Sequence, residues 1–158
     1  MEAMIMRPHF LLPVGMLVLA PLTAIPASHA VKPSCTPSLW SHVYNPSRLT
    51  IVNRCISVTG TVAESSRDDD GDQHFLVKLD AGQDRLLKKR NMTKKGGNLV
   101  AEIVCANKVK LKKAKPACSG YSNPVTLPAV GSHVTVTGTY VIDTHNGWAE
   151  IHPVSHVQ

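Results

Sequence analysis

Residues 133–153, HVTVTGTYVIDTHNGWAEIHP, decide the fold. Residues 133–142 alternate, so that Val134, Val136, Gly138, Tyr140 and Ile142 share one face of a strand. Residues 143–147 supply Asp, Asn and Gly for a turn. Residues 148–152 then form a second strand, with Trp148, Glu150 and His152 on one face and Ala149 and Ile151 on the other. The pattern predicts an antiparallel pair whose second strand has two faces of opposite chemistry.

Working back along the chain, VTGT at residues 136–139 is echoed at residues 58–61. Residues 50–63 place Ile56, Val58, Gly60 and Val62 on one face, and Gly60 in mid-strand predicts a bend or bulge. SSRDDDGD, residues 65–72, reads as a turn. Residues 74–80 alternate again, with Phe75, Val77 and Leu79 facing inward, which completes a hairpin. A basic loop containing Gly96 and Gly97 leads to a third strand, NLVAEIVCA, residues 98–106, and a long lysine-rich connection follows it. Five strands, glycines within them and no strong helical period predict an all-β domain, a five-stranded Greek-key barrel like the oligonucleotide/oligosaccharide-binding (OB) fold. Residues 50–158 form that barrel, preceded by an ordered arm, residues 31–49, with Trp40 and Tyr44 as its docking points.

Residues 1–30 differ in kind. Arg7 precedes an apolar run that ends before Pro26, and Ser28 and Ala30 fit a signal-peptidase site. We expect cleavage after Ala30 and a destination outside the cell or in a periplasm or envelope. The apolar run is shorter than the roughly 20 residues of a spanning helix and is broken by Pro13 and Pro21. An even set of cysteines in an exported chain points to two disulfides. Of three connectivities we favour Cys35 with Cys55 and Cys105 with Cys118, each tying down a neighbouring arm or loop, over a zinc site, since no C-x-x-C pair is present.

The formal charge of +6 is concentrated in two stretches. Arg85, Lys88, Lys89, Arg90, Lys94 and Lys95 form one, and Lys108, Lys110, Lys112, Lys113 and Lys115 the other. Such clusters either draw a polyanion through a salt-screened field or simply keep two loops solvated. A histidine and carboxylate set, His74, Glu102, Glu150 and His152, would lie on one polar face if the strands are arranged as in an OB barrel, with Asp70 or Asp72 at its rim. Imidazole and carboxylate together supply acid–base groups or ligands for a divalent metal. The plainer reading is that Glu150 and His152 bond to each other while Trp148 caps the barrel, its indole N–H finding a carboxylate.

The succession VTGTV, DGDQHFLVKLD, NLVAEIVCA and the ending G-W-x-E-I-H-P, over residues 55–157, resembles a family of small exported OB-fold-like domains of uncharacterised role. The chain departs from that ending at Asn146, which separates His145 from Gly147. Asp70-Gly71-Asp72 is also similar to a calcium-holding turn of thermonuclease-class OB-fold nucleases, but the arginines and further acidic residues of those enzymes have no counterpart in the pattern here. The resemblance implies a fold rather than an activity.

The expected function is an exported, non-catalytic OB-like module without a cofactor. It binds an anionic or polar ligand, whether polysaccharide, nucleic acid or an envelope partner. Lys88, Lys89, Arg90, Lys112 and Lys113 would steer the ligand and Trp148, Glu150 and His152 would fix it. Two alternatives remain. One is a metal-dependent hydrolase or nuclease using His74, Glu102, Glu150 and His152, with Asp70, Asp72 and His74 as metal candidates. The other is a structural protein-interaction module.

Overall fold

The computed structural model describes residues 33–158; the expected export signal, residues 1–30, lies outside the described residues. Five strands, β1 (Leu49–Arg67), β2 (Gln73–Leu79), β3 (Leu99–Ile103), β4 (His133–Asp143) and β5 (Trp148–Val157), form one mixed sheet. The order is β1-β2-β3-β5-β4, and β4 returns to β1, so the sheet closes on itself. Every pair is antiparallel except β3 with β5. No described helix is long and apolar enough to cross a membrane.

Closure depends on the long, bent β1. Gly60 faces Leu79 of β2 on one side and Val134 of β4 on the other. Any Cβ at residue 60 would collide with the carbonyl oxygen of Lys78, so this close crossing requires glycine. The sequence ended β5 at His152, yet the strand continues through Pro153 to Val157. Tyr140 pairs with Ile151 and Gly138 with Val154, so two residues of β5 oppose one of β4. Proline, which has no N–H to give a ladder, occupies that bulge. Both Ile151 and Val154 therefore reach the interior.

The interior is the face that the alternation marked. Val58, Val62, Phe75, Val77, Leu99, Val136 and Ile151 are essentially fully buried there. Tyr140 joins them and donates its hydroxyl to the Leu86 carbonyl at 2.7 Å. A second, smaller cluster lies on the outer side of the sheet, where Leu39, Val43 and Leu49 pack on Val104, Cys105 and Val141. The arm that supplies it runs through a 3-10 turn, Pro37–His42. Disulfides Cys35–Cys55 and Cys105–Cys118 tie down the arm and the post-β3 loop, and all four cysteines are thereby consumed. His42 stacks on Tyr121 with ring centroids 3.8 Å apart and bonds the Ala117 carbonyl at 2.8 Å, joining arm to loop.

The stretch read as a basic loop contains a short helix, α1 (Lys89–Lys94). Its anchor is Asn91, a fully buried side chain. The Asn91 amide donates to the carbonyls of Asn98 (3.0 Å) and Ala149 (2.9 Å), while its oxygen accepts from the N–H of Ala149 (2.8 Å) and Lys88 (3.0 Å). One side chain thus takes both backbone bonds of β5 at Ala149, where the β3–β5 ladder is short. Helix α1 is fixed to the sheet in this way, and Lys94 and Lys95 are brought beside the site described next.

Candidate functional site

The outer faces of β3 and β5 carry charged residues that the arm and the β1–β2 loop cover. Glu102 stands on β3, opposite His74 of β2, and Glu150 and His152 stand on β5. Arg48, the last residue before β1, reaches into this layer. Its guanidinium donates to Asp143 at 2.6 Å and lies 3.5 Å from Glu150 and 3.7 Å from Glu102. His152 Nδ1 lies 2.9 Å from Glu102 Oε2 and 3.1 Å from Glu150 Oε1. The other oxygen of Glu150 accepts the indole N–H of Trp148 at 2.9 Å. Asp143 also holds the β4–β5 turn, accepting from the N–H of His145 (2.8 Å) and Asn146 (3.0 Å).

Burial and charge compete throughout this network, and charge wins at its centre. Burial works against a protonated His152, yet the charge of Glu102 and the bonds from Glu102 and Glu150 hold its pKa well above the ordinary histidine value. Glu102 is the reciprocal case. Burial opposes its ionisation, but His152 and His74 hold it well below the usual carboxylate range. Burial likewise opposes the charge on Arg48, and Glu102, Glu150 and Asp143 outweigh it. At Asp72 burial prevails, and its pKa is pushed up to about 7 in spite of His152.

A cleft of about 630 Å³ opens above this network. Its walls are the β1–β2 loop (Asp68, Asp70), the β4–β5 turn (His145, Asn146), the β2–β3 surface (His74, Leu76, Glu102) and the chain after α1 (Lys94, Lys95, Asn98), with Arg48 and Trp148 at the base. His74 Nδ1 lies 3.3 Å from Glu102 and 3.7 Å from Asp68, and the Lys95 ammonium lies 3.4 Å from His74 Nε2. The same ammonium sits 4.2 Å above the centre of the Trp148 ring. The β1–β2 loop is held in place from below. Asp72 Oδ1 accepts the Cys105 N–H at 2.9 Å, the Asn107 N–H bonds the Gly71 carbonyl at 2.8 Å, and Lys110 and Leu111 both donate to the Asp69 carbonyl. A second cavity, of about 810 Å³, lies between β1 and the chain at residues 123–130.

Compared with family models, curated proteins and solved structures, the chain matches none.

His74, Glu102, Glu150 and His152 do converge, as a chain of contacts from the cleft to the buried layer. A ligand platform of Trp148, Glu150 and His152 is not what the fold builds, because Glu150 and His152 are fully buried under the arm and loops. Only Trp148 of the three lines the cleft. Asp70 lines it too, whereas Asp72 is turned inward and buried. Lys88, Lys89 and Arg90 are exposed at the start of α1, and Arg90 packs near Gly147 of the β4–β5 turn. Lys112 and Lys113 are exposed on the loop whose Lys110 and Leu111 hold the β1–β2 loop. The basic stretches therefore adjoin opposite walls of the cleft. Arg48, Asp143, Asp68 and Lys95 complete the site and were not singled out from the sequence as site residues. Arg48 looked like part of a polar arm and Asp143 like an ordinary turn residue, and nothing local to either announces a partner about a hundred residues away.

Proposed function

We propose that the chain is an exported OB-like Greek-key module that binds a polysaccharide segment in the cleft over β2 and β3. The observation that carries this reading is the position of the cleft. It lies between the β1–β2 loop and the β4–β5 turn on the β2–β3 surface, the location where OB-folds take oligosaccharides and oligonucleotides. The strand order, with β3 parallel to β5, supports the OB-like reading. Trp148 offers an aromatic surface beside Asp68, Asp70, His74 and Asn98, which suit the hydroxyls of a sugar. Nucleic acid is less favoured. Phe75 and Tyr140 are buried in the interior, so few stacking faces remain, and Glu64, Asp68 and Asp70 in the cleft repel phosphate.

The test uses Trp148 itself as reporter. In a Trp40→Phe background, Trp148 fluorescence is titrated with a panel of neutral and acidic oligosaccharides and with single-stranded DNA. Saturable change with a sugar, abolished by Asp68→Asn with His74→Gln, supports the reading; response to DNA alone overturns it in favour of a nucleic-acid site. A second reading, a hydrolase, draws on the contact of His74 with Glu102 at the cleft, a paired imidazole and carboxylate. It requires turnover of a bound glycan or nucleic acid that His74→Gln lowers by orders of magnitude with the melting temperature unchanged.

A further inference from the structure

Beneath the cleft, two polar atoms have no hydrogen-bond partner: Asp72 Oδ2 and His152 Nε2. They face each other at 3.7 Å, beyond hydrogen-bond reach, in side chains that are 2% and 0% exposed. A buried polar atom left without a partner is costly, and two that point at one another mark a place for something to stand between them. The other nitrogen of His152 is turned toward Glu102 and Glu150. That is the arrangement of a metal-binding histidine, in which a carboxylate on one ring N–H fixes the tautomer and leaves the second nitrogen free to ligate. A carboxylate oxygen of Glu102 completes a triangle with Asp72 and His152 in which all ligand atoms lie within 4.8 Å of one another.

Charge points the same way. Four buried carboxylates, Asp72, Glu102, Asp143 and Glu150, gather around the Arg48 guanidinium and the His152 imidazole. Each carboxylate removed from water without a full counter-charge weakens the fold, and a dication that displaces one imidazole proton adds a net positive charge to this acidic layer. One imidazole and two carboxylates suit a borderline cation such as zinc better than calcium, which takes six to eight oxygens.

We infer that Asp72, Glu102 and His152 form a site for one borderline divalent cation, with Zn²⁺ as its probe, independent of what the cleft binds. Bonds of about 2.0–2.1 Å require ligand atoms now within 4.8 Å of one another to draw in to separations of about 3.4 Å, with Glu102 giving up its contact to His152 Nδ1 and Glu150 keeping its own. Binding replaces the proton on His152 Nε2 with the metal and releases that proton to solvent. The site is enclosed, so its role is to hold the β1–β2 loop, through Asp72, against β3 and β5.

The experiment uses the full chain with both disulfides formed, stripped by chelator, dialysed against Zn²⁺ and assayed for bound metal. One zinc per chain, with a raised melting temperature, is the expected result. Asp72→Asn keeps an oxygen for the Cys105 N–H and should fold, but should lose the stoichiometric zinc. Glu150→Gln, which weakens the support of His152 without removing a proposed ligand, should bind about 10–100-fold more weakly. His74→Gln should bind as the wild type does. X-ray absorption at the zinc edge of the wild type reads the ligand set without any variant, and a single imidazole is expected. No zinc uptake, two or more imidazoles, undiminished binding by Asp72→Asn, or loss of binding in His74→Gln would each overturn the assignment.

Discussion

Over Ala149 to His152 the two faces of β5 are equally buried and chemically opposite. Ala149 and Ile151 point into the closed sheet and meet Phe75, Leu99 and Val136, whereas Glu150 and His152 point outward and meet Glu102, Arg48 and Asp72. Both faces obey the same two-residue period. The inner one is stabilised by area and fit, the sum of many weak contacts. The outer one is covered by the arm and the loops, and its charges had to be matched one by one as water was excluded. On the inner face, then, energy should scale with volume removed. On the outer face it should scale with charge left unmatched.

Arg48→Ala is the sharpest way to break the outer face. It leaves Asp143, Glu102 and Glu150 without the guanidinium they share, and removing one partner of a buried ionic group costs about 3–5 kcal/mol. Urea unfolding at neutral pH should show that loss, although Arg48 makes no contribution to the apolar interior. Arg48→Ala combined with Asp143→Asn and Glu150→Gln should recover part of it. If the single variant costs less than Ile151→Val, the outer layer is not a matched charge network.

The cover comes next. Cys105 and Cys118 close a loop 13 residues apart in sequence, and their replacement by alanine should lower stability by about 3 kcal/mol on loop-entropy grounds. Because Cys105 also donates its N–H to Asp72, the double variant should loosen the β1–β2 loop first. Hydrogen exchange at Gly71 and Asp72 should accelerate before that of Val77 or Val136 does.

The inner face should respond mildly to a small change. Ile151→Val removes one methylene from a fully buried side chain and should cost about 0.5–1.5 kcal/mol by thermal unfolding. Its effect should be independent of pH and should add to that of Asp80→Asn, an exposed residue just past the end of β2.

The inner face was legible in the sequence because its signal is local. Val134, Val136 and Tyr140 announce an interior by spacing alone, as do Phe75 and Val77. The pairing partner of Gly60 was not legible, but its mid-strand position was enough to suggest a bend. The outer face shows the limit of such reading. Glu150 and His152 read as an exposed platform because an alternating polar face of a sheet ordinarily meets water. What buries them is an arm more than a hundred residues earlier and a loop about eighty residues earlier. Asn91 escaped for a related reason: in a lysine-rich stretch, nothing local distinguishes an asparagine that bonds to β5 from one that faces solvent.

Asp80 and His133 provide the exposed counterpart to the buried His152–Glu102 pair, and the smallest effect. His133 Nε2 lies 2.9 Å from Asp80, and both side chains are well exposed. The pKa of Asp80 is lowered by a bond from the Thr59 side chain and then by His133. A carboxyl depressed in the folded state adds stability above its unfolded pKa and loses it as the pH falls through the folded one, so the contribution of Asp80 is present at neutral pH and is lost in acid. Solvent and salt screen it. His133→Gln should therefore raise the Asp80 pKa only part-way toward its ordinary value, as read by NMR titration, because Thr59 remains. The residual shift should shrink little in high salt if it comes from the Thr59 hydroxyl. Were the whole shift to vanish with His133, the exposed pair would be governed by charge alone, as the buried network is, and the distinction between matched burial and screened exposure would have to be drawn elsewhere.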